Sequence, residues 1–288
     1  MILKKQKMKM LPDEDKIKSL ISAGSAIVGT ATGGAVSFVT GGLAGATLGG
    51  PLGVITSKVL SDIANRLLST REETRVGATA WYALNKIKSR RASGDKPRTD
   101  GFFKSKEKGR PDAEEIFEGV LLKAKNEHEE KKARILGNIF ANIAFFPGFS
   151  VGEANHLLRI AENITYREMC ILSLIKRKKE IPEIKLREDS YVDDIRDEKK
   201  LYGRSQYGSI SSETMSMLQE AYEISNLGLM VCKVKSDEVG EAYWALLGWA
   251  DIVPDDLELT EMGERYYQVM GLDDIPEQDI REVARYLS

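Results

Sequence analysis

A chain of 288 residues is long enough for one large or two ordinary domains with a real core. Its two cysteines and two histidines exclude a disulfide framework and a zinc site of ordinary ligand spacing, and they fit a reducing compartment. The formal net charge of −2 hides an asymmetry: residues 1–180 hold 31 Lys and Arg against 20 Asp and Glu, and residues 181–288 hold 11 against 24. Either the first half meets something anionic, a membrane surface or nucleic acid, or the two halves attract each other.

The start, "MILKKQKMKMLPDEDKIKSL", has a basic stretch, but Pro12 and three acids separate it from the first apolar run. A cleaved signal would run directly from one to the other, so none is expected. From Ser19 to Ser57 there is then no charged residue for 39 positions. As a single helix this run would be ~58 Å long, about twice the hydrocarbon thickness of a bilayer. A hairpin is the more natural form. Leu20–Val39 makes the first arm, Gly41-Gly42 the turn and Leu43–Ser57 a short second arm that Gly50-Pro51 breaks.

Within this run Ser25, Gly29, Gly33, Ser37, Gly41, Gly45, Gly49 and Gly53 recur every four residues. Residues four apart share a helix face, and a face without side chains lets a second helix approach to backbone contact. In lipid such faces are a packing device between helices. Three readings fit: a membrane hairpin or oligomeric pore lining, a soluble hairpin packed inside an oligomer, or a flexible glycine-rich loop. A protein stored in soluble form that inserts on a trigger satisfies the first two together.

After Pro51 the pattern becomes amphipathic, with Leu52, Ile55, Val59, Ile63 and Leu67 on one face and Lys58, Asp62 and Arg66 elsewhere. "TREE", Thr70–Glu73, reads as a capping box that opens a helix carrying Val76, Trp81, Leu84 and Ile87. Trp81 and Tyr82 suit either a helical core or a membrane interface. The next stretch, Lys86 to Arg110, has ten basic residues against three acidic ones and reads as a helix end followed by an exposed linker. Its candidate anion-binding residues are Lys86, Lys88, Arg90, Arg91, Lys96, Arg98, Phe102, Phe103, Lys104 and Lys106. The cations suit lipid headgroups or a nucleic-acid backbone, and the two phenylalanines suit base stacking. A plain solvated linker fits as well.

"DAEEIFEGVLLKAKNEHEEKKARILGNIFANIAFF" predicts one helix, with Ile116, Val120, Ala124, Ile135, Ile139 and Ile143 along its apolar face and Pro147-Gly148 at its end. His128 reads as a solvated residue on it. Ser150 with Glu153, and Thr165 with Glu168, form two further capping boxes. Leu186–Ser209 reads as a loop, and Ser212–Asn226 as a helix closed by Leu227-Gly228. "LMVCKV" is a candidate strand that pairs with "LELT" after a long excursion. Thr260 then starts a helix, and a last helix covers Pro276–Leu287. This is the element order of a winged helix. The helix that would enter a DNA groove carries Glu213, Glu220 and Glu223 and no Lys or Arg, which argues for partner contact rather than DNA reading.

"ARILGNIFANIAFFPGFSVGEANHLLRIAENITYREMCIL", "YEISNLGLM" and "LELTEMGERYYQVMGL" resemble bacterial abortive-infection proteins of the Abi-alpha kind and the membrane effector of the Hailong antiphage system. The resemblance covers roughly residues 133–288 and contains no catalytic residue. It implies an effector that damages the host membrane during infection. In the Hailong case it implies a partner nucleotidyltransferase whose oligonucleotide governs the effector; the basic stretch would then be its seat.

The expectation is therefore a mainly α chain with a glycine-rich helical hairpin region, a helical middle and a C-terminal winged-helix-like α+β module. Its segments are 1–70, 71–110, 111–180 and 181–288. No cofactor, metal or catalytic set is expected, since no Walker-type loop, nucleophile elbow or paired metal motif occurs. The expected partners are further copies of the chain, membrane lipid and an oligonucleotide. The expected location is the inner membrane, or the cytoplasm with triggered insertion. The alternative is a soluble oligomeric regulator that binds nucleic acid or nucleotide through Lys86–Arg110.

Overall fold

The computed structural model describes residues 50–66, 68–107, 109–191, 210–236, 240–244 and 248–288. It is mainly helical, with a small antiparallel sheet near the C-terminus. The chain divides into two compact units, one ending at Pro147 and the other covering Gly148–Ser288. The division falls inside 111–180. The expected hairpin arms before residue 50, Leu67 and the loop over 192–209 lie outside the described residues.

The first unit holds α1 (Gly50–Ala64), α2 (Thr70–Ala92), α3 (Asp112–Asn126) and α4 (Lys132–Ile143). Gly50 and Pro51 stand at the start of α1, and the arm that the sequence places before them lies outside the described residues. Gly50 sits at φ +66° and Pro51 falls in the first turn, where its missing N–H would have no intrahelical partner in any case. The apolar face read from the sequence is the buried one: Leu52, Ile55, Val59 and Ile63 are all covered. The next capping box also differs from expectation, by one residue. Ser69, not Thr70, caps α2, accepting from the Glu72 N–H while the Glu72 carboxylate accepts from the Ser69 N–H.

Helices α2, α3 and α4 pack on one another, and α1 packs on α3. Val76, Leu84, Ile87, Ile116, Val120 and Ile139 fill the core, and the Phe117 and Phe140 rings stack at 4.4 Å. The close approach of α2 and α4 runs through Gly137. A Cβ there would stand 2.6 Å from the Thr79 carbonyl oxygen and 2.9 Å from the Ala83 nitrogen.

The single helix expected over "DAEEIF…IAFF" is two. The apolar row Ile116, Val120, Ala124 reaches His128 at its next position, which is 88% exposed. Glu127 turns extended there, with ψ 136°. Its carboxylate accepts from the His128 and Glu129 N–H groups at 2.8 and 2.9 Å and pairs with Lys132 Nζ at 2.6 Å. Both side chains are buried, so this pair fixes the break.

The second unit holds α5 (Val151–Asn163), α6 (Tyr166–Arg177), α7 (Ser212–Asn226), β1 (Met230–Ser236), β2 (Gly240–Trp244), β3 (Leu257–Leu259), α8 (Glu261–Met270) and α9 (Glu277–Ala284). Ser150 and Thr165 form complete capping boxes with Glu153 and Glu168, as the spacing requires. α6 packs against α9, α7 and β3. β1 pairs with β3 in the register Met230↔Leu259 to Cys232↔Leu257, the pairing read from the sequence. The excursion between them contains a further strand, β2, which pairs with β1 from Cys232↔Trp244 to Ser236↔Gly240. The sheet order is β2-β1-β3.

Candidate anion-binding segment and helix anchor

Lys86, Lys88, Arg90 and Arg91 lie in the last turns of α2, where cations complement the helix dipole. The residues after α2 are not a bare linker. Gly94 and Gly101 take left-handed φ values of +94° and +93°, and the intervening chain folds back onto the first unit. The Arg98 N–H donates to the Ala144 carbonyl at 3.0 Å, and the Phe102 carbonyl accepts from Ala113 N–H at 3.0 Å. This loop is part of the fold.

Several candidate ligand residues are engaged within that fold. Arg90 donates to Asp95 at 2.8 Å and to Asn142 at 3.1 Å, and it lies 4.7 Å over the Phe145 ring. The Arg98 side chain is 7% exposed, binds Asp100 through two nitrogens and lies 4.5 Å over the Phe102 ring. Phe102 is 3% exposed, which corrects the expectation of an open stacking ring. Phe103 is half-buried and meets Phe102 edge to face at 5.1 Å. Lys106 pairs with Asp112, a hydrogen bond that holds its ammonium pKa above the ordinary value. Lys86 is half-buried, while Lys88, Arg91, Lys96 and Lys104 are exposed.

Of the small-residue row, Ser25, Gly29, Gly33, Ser37, Gly41, Gly45 and Gly49 lie outside the described residues. Gly53 is buried within α1. What the structure adds is how α1 is held. Leu52, Ile55, Val59, Leu60 and Ile63 are at most 5% exposed. Each such side chain contributes about 1.5–3 kcal/mol when fully covered. Ion pairs reinforce this seat. Lys58 Nζ approaches Glu114 at 2.8 Å, and Arg66 pairs with Asp62 at 2.6 Å and with Glu118. Glu118 also receives Arg110. Burial disfavours its charge, but the hydrogen bonds from Arg110 and Arg66 outweigh this and lower its pKa. Lys58 is 65% exposed, so its pair is worth at most a fraction of a kcal/mol, ~0.2–1 for such surface pairs.

This network was missed in the sequence. Its trace was the i, i+4 run Lys58, Asp62, Arg66 facing Glu114 and Glu118, also four apart; only folding shows that the two rows meet.

Among the described residues, no group of three or more His, Cys, Asp or Glu side chains could hold a metal ion. His156 Nδ1 lies 2.7 Å from the Tyr266 hydroxyl, and Cys170 and Cys232 are buried and not joined in a disulfide. No described helix is long and apolar enough to cross a membrane. Comparison with protein-family models, curated proteins and solved structures finds no match for this chain.

Proposed function

We propose that this chain is a non-enzymatic effector of antiphage abortive infection. In this reading copies associate through the glycine-rich run 19–57 and permeabilise the inner membrane, and the folded units hold the run inactive until a signal arrives. The observation that carries it is the junction. A run of 39 uncharged residues enters the folded body through α1, whose buried apolar face accompanies its packing on α3, and Lys58 of α1 and Arg66 just past its end are tied to α3 carboxylates. A linker needs no such anchor; an arm mounted on a folded body does. The test is expression in cells with a membrane-potential dye and fractionation. Depolarisation and membrane recovery that disappear in Gly45→Leu/Gly49→Leu support the proposal. Protein that never enters membranes under any trigger, with no depolarisation, ends it.

The order α7, β1, β2, β3, α8 is read as a winged helix used for sensing a partner rather than reading DNA. α7 carries Glu213, Glu220 and Glu223 and no cation, and Glu220 is already bound by Arg167.

The second reading is a soluble oligomeric regulator that binds an oligonucleotide, the product of a partner nucleotidyltransferase. The exposure of Lys88, Arg91, Lys96 and Lys104 along one basic segment favours it. Oligonucleotide affinity that falls steeply with salt, and falls again when these four are neutralised, would support it.

A further inference from the structure

We infer that Glu114 and Glu118 latch α1 in its docked position, and that an anionic bilayer surface competes with α3 for this helix; the lipid partner rests on the membrane reading above. α1 is amphipathic, and among the described helices it packs on α3. Leaving α3 for water would expose the face that carries Leu52, Ile55, Val59 and Ile63, so in water the helix stays docked. At a bilayer surface the same face exchanges one apolar environment for another, and the hydrophobic difference largely cancels.

What then separates the two seats is charge. Docked, Lys58 faces Glu114, and Arg66, two residues past α1, is shared between Glu118 and Asp62 of α1. Undocked, both cations would face lipid phosphates, which attract basic residues near the surface. Ion pairs that matter little to the stability of the fold thus decide which seat the helix takes. Glu118 also holds Arg110, at the end of the basic loop, so α1 and that loop are tied to one carboxylate.

The test uses the full chain with vesicles of phosphatidylglycerol and phosphatidylethanolamine. Hydrogen exchange of α1 amides is measured without vesicles, and partition with them. Glu114→Gln/Glu118→Gln should speed α1 exchange about fivefold, leave α2 and α4 protected, and raise partition by a similar factor. Lys58→Glu/Glu114→Lys rebuilds the pair in reverse; it should keep wild-type exchange and bind vesicles less well than wild type. Unchanged α1 exchange in the Gln variant, or equal loss of protection across α1, α2 and α4, overturns the latch and leaves the membrane function standing if wild type still binds vesicles. Faster α1 exchange with no vesicle binding by any form overturns the lipid partner and the membrane function together.

Discussion

Gly263→Ala should unfold the second unit at a markedly lower temperature. Gly263 lies in the first turn of α8, against the backbone that leads into β1. A Cβ there would stand 1.9 Å from the Leu229 carbonyl oxygen, 2.9 Å from its carbonyl carbon and 3.3 Å from its Cα. These are backbone atoms and cannot rotate away. The helix must shift by more than an ångström, yet its start is pinned. Thr260 N–H donates to that same Leu229 oxygen at 3.1 Å, and Thr260 Oγ1 accepts from Gly263 N–H at 2.9 Å. Overpacking typically costs about 1–3 kcal/mol, and a clash with fixed backbone belongs at the top of that range. For a protein of this size about 3 kcal/mol lowers the melting temperature by roughly 6–12 °C. Thermal unfolding followed by circular dichroism reads the shift. Gly152→Ala is the control, because its Cβ would meet only Ser150 Oγ, at 3.9 Å. That variant should melt at or slightly above the wild-type temperature, since alanine favours a helix over glycine. A Gly263→Ala protein that melts within a degree or two of wild type would refute the close approach of α8 to the strand.

In the first unit, Gly137→Ala should cost about 2–3 kcal/mol by forcing α2 and α4 apart, read from the denaturant midpoint. Lys132→Met leaves the buried Glu127 carboxylate without its cation and should cost about 3–5 kcal/mol at neutral pH. Burial opposes charge on Glu127, but the Lys132 and backbone hydrogen bonds lower its pKa, so its contribution is present above the ordinary glutamate range and disappears as pH falls through the lowered value. Melting temperature against pH should show that acid-side loss in wild type and a smaller one in Lys132→Met. Glu168 has the opposite sign: burial raises its pKa, so its contribution is full below the ordinary glutamate range and is lost as pH rises through the raised value. Glu168→Gln keeps the capping geometry and should flatten that part of the profile.

The capping boxes of α5 and α6 were the most legible feature of the chain. Ser150/Glu153 and Thr165/Glu168 announce α5 and α6 because a capping box is local chemistry, complete within four residues. The apolar row of α1 was legible for the same reason: period alone marks the face that must be covered. The break at Glu127 was not, because it depends on a carboxylate folding back to two amides and meeting Lys132 out of water. β2 was hidden in an excursion whose strand character comes from its pairing with β1. The basic segment shows the limit most clearly. Composition counts the charges of Arg90, Arg98 and Lys106, but Asp95, Asp100 and Asp112, which answer them, are assigned as partners only by the fold. Close packing through glycine is expected in the 25–53 row, of which only Gly53 lies among the described residues; Gly137 and Gly263 also pack closely, where no period of four advertises it.

Thr260 joins three pieces of chain: its hydroxyl reaches back to the Gly228 carbonyl, its N–H to Leu229, and it caps the helix that follows. The distance in sequence from the end of β3 to Gly263 is therefore fixed to the residue. Insertions and deletions in diverged copies of this unit should gather between 236 and 257, where the hairpin excursion can lengthen or shorten, and should avoid 259–263. A one-residue insertion library across the C-terminal unit, sorted for soluble protein, would draw that boundary directly.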